Sequence, residues 1–141
     1  MKNVLRITAA MLVICILVSF SAFASPGSLP LDVSSDTTGI LTVTNPAAAS
    51  ISSYDRQHNI SGYATSGSTV AIYSAYGGKY NLLREFTVGA SGVFIQPVTV
   101  SRGRNDLIIR AECNGQVQYV KRSVNVLSMN FFNLLKGFNL F

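Results

Sequence analysis

The sequence predicts an all-β protein, a sandwich of about seven short antiparallel strands, and three observations carry that prediction. Stretches of alternating apolar and polar residues recur from Ile40 to Val126. Turn signals containing glycine separate them at roughly eight to twelve residues, the spacing of a sandwich. No stretch between them keeps the 3.6-residue period of a helix, which sets aside doubly wound folds that alternate strand and helix.

The first 24 residues read as an export signal rather than as part of that fold. Lys2 and Arg6 precede an apolar run from Ile7 to Phe20, and Ala22 and Ala24 supply the small residues a signal peptidase accepts. Cleavage is therefore expected between Ala24 and Ser25. The apolar run is shorter than the about 20 residues a spanning helix needs. Cys15 follows Ile14 instead of a small residue beside the cleavage site, which speaks against lipid attachment.

Cleavage would remove Lys2 and Arg6 but none of the six acidic residues, lowering the formal charge from +5 to +3. The basic residues left are scattered, so there is no clustered basic face of the kind that binds nucleic acid. Removing 24 residues from 141 leaves 117, enough for one domain with its own core. Cys113 would then be the one cysteine in the chain, so no internal disulfide can form and a small buried role is expected of it.

In chain order, residues 25–38 (SPGSLPLDVSSDTT) show no period and read as a flexible leader. The sandwich is expected over residues 39–127. Ile40 to Thr44 alternates as a first strand, ended by Asn45-Pro46. Ala47 to Arg56 reads as a connection with a short pairing at Ile51. Ile60 to Tyr73 (ISGYATSGSTVAIY) reads as two strands of one half-buried antiparallel sheet, joined by a turn at Ser66-Gly67-Ser68. Gly77-Gly78 then turns the chain into a strand from Leu82 to Val88. In the strand from Phe94 to Val100, Gln96 on the apolar parity and Pro97 inside the run predict an edge position or a bulge. Leu107, Ile109 and Ala111 form the next apolar face, Asn114-Gly115 is the strongest hairpin signal, and Gln116 to Val126 returns as the last strand, with Arg122 interrupting its apolar face.

These stretches resemble the bacterial Ig-like domains of secreted and surface proteins. The positions that carry the likeness are Ile60, Gly62, Ala64, Gly67, Val70 and Ile72, then Gly92 and Phe94, then Gly103, Asn105, Leu107, Ile109 and Ala111. Gln96 departs from the pattern, standing where an apolar core residue is usual. The resemblance spans about Ile40 to Leu127 and implies an immunoglobulin-like sandwich acting as an adhesion module, a spacer or an accessory to glycan-active proteins, with no catalytic residues to transfer.

Two stretches carry contact chemistry. Tyr73 to Tyr80 gathers three tyrosines, two glycines and Lys79, a composition that offers rigid amphipathic contact area. Tyr76, Lys79 and Tyr80 are its candidate contacts, to a protein or a glycan. Residues 128–141 (SMNFFNLLKGFNLF) place Phe131, Leu134, Leu135 and Phe138 on one side of an amphipathic helix. Fourteen residues at about 1.5 Å each reach about 21 Å, short of a membrane span. That tail could fold back to cover a sheet edge, and is expected to associate with itself, with a partner or with a membrane surface.

Catalysis, cofactors and metals find little footing. His58 and Asp55 are the one close acid-base pair, and the remaining carboxylates are isolated without the ligand spacing of a calcium loop. The sequence therefore points to an exported, non-enzymatic module for binding, adhesion or assembly at or outside the cell envelope, without cofactor or metal. The alternatives are a glycan-binding accessory module, or a small secreted enzyme or enzyme inhibitor.

Overall fold

The computed structural model describes residues 24–35 and 38–128, and these form two packed β-sheets. The nine strands are β1 (Ser28–Leu29), β2 (Leu41–Asn45), β3 (Ser50–Ser53), β4 (Gln57–Ala64), β5 (Thr69–Tyr76), β6 (Lys79–Thr87), β7 (Val93–Thr99), β8 (Gly103–Cys113) and β9 (Gln116–Val126). One sheet has the order β1-β6-β5-β8-β9-β3 and the other β2-β4-β7. The strand count exceeds the expected seven because β1 and β3, too short to show alternation, each add to an edge. The pairing is also not wholly antiparallel, since β3 runs parallel to β9 with Ser50 beside Ser123 and Ser53 beside Val126.

The turns follow their chemistry. Asn114 and Gly115, at φ 50° and 79°, join β8 to β9, and Gly77 and Gly78, at 63° and 77°, join β5 to β6. Both are two-residue hairpins with positive φ at each central position, matching the twist of the strands they connect. The Ser66-Gly67-Ser68 turn behaves differently. It carries the chain from β4 in the small sheet to β5 in the large one, so the expected single sheet over Ile60 to Tyr73 is two strands facing each other across the core. A hairpin and an arch between sheets share the same alternation and the same glycine, which is why the pattern did not separate them.

Between the sheets, Leu41, Val43, Ile60, Ala64, Phe94 and Val98 of the small sheet meet Val70, Ile72, Leu107, Ile109, Ala111, Val124 and Val126 of the large one. Each fully buried aliphatic side chain here contributes about 1.5–3 kcal/mol. Gly62 sits where β4 passes closest to β2. A Cβ at that position would lie 2.0 Å from the Thr42 carbonyl oxygen, so the close approach requires glycine. As the sequence predicts, β7 with its Gln96 and Pro97 lies at an edge.

A second apolar cluster lies on the far side of the large sheet. Ala71, Tyr73, Tyr80 and Ile108 point outward there and are covered by Leu29, with Val33, Leu82 and Tyr119 around them. Residues 25–38 were expected to be a leader without regular structure. Instead Ser28 and Leu29 pair with Asn81 and Tyr80 at the edge of the large sheet, and Leu29 and Val33 pack in the apolar cluster on its outer face. The cause is visible at Val70–Tyr73 and Leu107–Ala111, where both parities are buried and the outward one needs a cover.

Two β9 side chains tie β2 to the large sheet. Gln118 accepts from the Leu41 N–H at 2.7 Å and donates to the Leu41 carbonyl at 3.1 Å. Arg122 donates to the carbonyls of Pro46 at 2.8 Å, Val43 at 3.1 Å and Lys121 at 2.8 Å. The interruption of the apolar face at Arg122 is thus a clamp on the far end of β2, beside the register shift between Val43 and Asn45.

Candidate functional site

The tyrosine turn divides under inspection. Tyr76, at the hairpin apex, is 84% exposed, and Lys79 beside it also faces solvent. Tyr80 is 5% exposed and Tyr73 is fully buried, both in the outer apolar cluster beneath the N-terminal segment. Burial raises the pKa of each phenol, for Tyr73 partly against the Arg110 charge. Tyr80 is therefore a packing residue rather than a contact residue, because the hairpin register puts it opposite Ala75 and under Leu29. One exposed ring is left where two were candidates. Phe131, Leu134, Leu135 and Phe138 lie outside the described residues.

His58 and Asp55 do come close, through backbone. The His58 Nε2 lies 2.8 Å from the Asp55 carbonyl oxygen, a contact that orients the ring at the start of β4 and engages no carboxylate. Cys113 is a half-buried free thiol at the end of β8, more open than the sequence predicts. No group of three or more His, Cys, Asp or Glu among the described residues is arranged to hold a metal ion.

The most distinctive free surface is one that sequence reasoning missed, the outer face of the small sheet. Every outward position on its three strands is uncharged: Thr42 and Thr44 on β2; Gln57, Asn59, Ser61 and Tyr63 on β4; Val93, Ile95, Pro97 and Thr99 on β7. Tyr63 lies opposite Val93, and Ile95 opposite Ser61, so three large apolar groups meet across the two strands. They are 57%, 47% and 62% exposed for Tyr63, Val93 and Ile95. The signal in the sequence was apolar residues on the outward parity, beginning at Val93, beside a strand whose inward parity was already apolar.

A polar cluster lies at the other end of the large sheet, under the start of the N-terminal segment. Arg110 is buried and pairs with Glu112 two residues along the same strand. Burial works against its charge, but Glu112 and Tyr119 hold the guanidinium above its ordinary pKa. An open cleft of about 940 Å³ adjoins it, lined by Ala24, Glu85, Glu112 and the β8–β9 turn.

Comparisons of the chain with protein-family models, with curated proteins and with solved structures gave no match, so its function is argued from these residues and their geometry.

Proposed function

We propose that this chain is an exported, non-enzymatic immunoglobulin-like module that works by binding and assembly at or outside the cell envelope, using the outer face of the small sheet. The strand order supports the immunoglobulin-like reading. Three strands, β2, β4 and β7, face a sheet built on β5, β8 and β9, with β6 beside β5, the two-sheet partition of that fold. The basic and apolar residues before Ala24 support export.

The observation that carries the binding role is the uncharged outward face, with Tyr63, Val93 and Ile95 contiguous at its centre. Apolar groups grouped on a face without charge favour contact with another protein surface, because no ion has to be desolvated there. The outward apolar cluster of the large sheet does not offer the same surface, since Leu29 and Val33 pack in it and its members are buried. The glycan reading is weaker on this geometry, with Tyr76 as the one exposed ring of its loop.

The test is a pair of charge substitutions, Tyr63→Lys with Ile95→Lys. Because both side chains point away from the core, thermal unfolding should change little. Concentration-dependent association in sedimentation, and retention on the surface of the producing cells, should be lost in the variant. A wild-type chain that is monomeric at high concentration and released freely from the cells would remove this face from the function.

A further inference from the structure

Among the buried polar residues, Ser25 is the one at the head of the N-terminal segment. It is 7% exposed, whereas Ala24 before it is open to solvent. The Ser25 backbone N–H donates to Glu85 Oε2 at 3.2 Å, and its Oγ accepts from Arg110 Nη1 at 3.2 Å. One residue further, the Pro26 carbonyl accepts from the Tyr73 hydroxyl at 2.9 Å. Among the described residues, burial therefore begins at Ser25, just after the Ala24–Ser25 peptide bond. That is the bond the small residues at 22 and 24 mark for cleavage, and the two indications are independent. One comes from side-chain size before the bond, the other from burial after it.

We propose that Glu85, together with the Arg110–Glu112 pair, forms a binding site for the α-ammonium group that cleavage of the Ala24–Ser25 bond creates, so that processing completes the attachment of the N-terminal segment to the large sheet. The inference rests on the export reading of residues 1–24. Hydrolysis adds water across the bond, leaving a carboxylate on Ala24 and an amine on Ser25. An α-amino group has a pKa of about 7.7–8.0, so at neutral pH the amine is mostly protonated. A single neutral donor at 3.2 Å from a carboxylate thereby becomes a cation with three donors, and such charge-assisted hydrogen bonds are the stronger kind.

The surroundings match that charge. Glu85 comes from β6, Arg110 and Glu112 from β8, and the phenols of Tyr73 and Tyr119 from β5 and β9. Two carboxylates against one guanidinium leave one negative charge unbalanced before cleavage, and the new ammonium balances it. The adjoining cleft lets water reach the remaining ammonium protons. The Ser25 contacts are in place with Ala24 still attached, so cleavage strengthens a docking that the uncut chain also makes.

The experiment has two arms. Mass spectrometry of the full chain exported from a bacterial host should find Ser25 as the first residue. Chains beginning at Ser25 are then compared with a free and with an acetylated α-amine, each carrying Glu85 or Glu85→Gln. Glu85 lies at the surface, so its replacement does not threaten the fold. Acetylation should lower the folding equilibrium constant by about threefold, the size of a solvent-screened ion pair, and should change nothing in the Glu85→Gln background. The paired ammonium has its folded pKa raised, so the advantage of the free amine is present below about pH 7.7 and is lost as pH rises through that raised value. Cleavage at another bond, or an acetylation effect equal in both backgrounds, overturns the proposal. A chain that is retained in the cell overturns it together with the export reading, whereas cleavage at Ser25 without coupling to Glu85 sinks this inference alone.

Discussion

Asn105 shows how one polar side chain can organise a turn. Its Oδ1 accepts from the Ser101 N–H at 2.9 Å, while its Nδ2 lies within hydrogen-bond range of the carbonyls of Ser101, Gly103 and Val124 at 2.7, 2.9 and 3.3 Å. The Gly103-x-Asn105 pattern of the family resemblance is thus a brace on the entrance to β8, with Gly103 at φ 87°. Replacing Asn105 by Asp keeps the acceptor and removes the donor, setting a carboxylate against those carbonyls. Chemical denaturation should show a loss of about 1–3 kcal/mol for Asn105→Asp. A loss below about 0.5 kcal/mol would mean the turn holds without the brace. The two exposed-looking tyrosines separate in the same way. Tyr80→Ala should cost about 3 kcal/mol or more as a buried aromatic truncation, and Tyr76→Ala should be close to neutral, both read from thermal unfolding. Sequence could not tell them apart, because a ring beside a glycine turn is written identically whether the strand register aims it at solvent or at Leu29.

At the scale of elements, what the sequence showed and what it hid divide along the faces of strands. The alternation at Ile60–Ala64 and Leu107–Ala111 was enough to place the inner core, and Asn114-Gly115 was enough to place the last hairpin. The N-terminal strand was hidden because Ser28–Leu29 is too short to show a period and its partners are distant in sequence. Ala71, Tyr73 and Ile108 on the outward parity were the available clue that this part of the large sheet is covered. The Tyr73 hydroxyl donates to Pro26, and burial raises its pKa above the ordinary 10.0. The fold therefore favours the neutral phenol, so this stabilisation is intact below about pH 10 and is lost as pH rises through the raised folded value. Urea unfolding from about pH 8 to pH 11 should show that decline, and Tyr73→Phe should make it shallower, with Tyr80 accounting for part of the remainder. An unchanged slope would place the alkaline sensitivity elsewhere. The β2 clamp gives a matching test. Arg122→Met keeps the aliphatic stem but leaves the Val43 and Pro46 carbonyls without their donor, at an expected cost of about 1–3 kcal/mol, with amide exchange accelerating first in β2.

For the molecule as a whole, the proposed binding role can be tested at the tail, whose apolar residues are known from the sequence alone. Deleting residues 128–141 should leave a folded sandwich, since among the described residues every strand of both sheets lies before Leu127. Sedimentation and thermal unfolding of the truncated and full chains, with and without lipid vesicles, test this. If the full chain is a plain monomer indifferent to vesicles, and the truncation loses stability on the scale of a large core side chain, the tail belongs to the core. The two ends of the described chain lie far apart along the sandwich. Ser25 docks by Arg110, while Val126 leaves β9 beside Gly103, seven residues and roughly 23 Å further along β8. The parallel pairing of β3 with β9 then acquires a mechanical meaning. Tension that reaches β3 at its first residue, once the contacts of β1 and β2 have given way, and β9 at its last acts in opposite directions along one axis. The four register pairs from Ser50–Ser123 to Ser53–Val126 are then loaded in shear, all at once, instead of unzipping one after another.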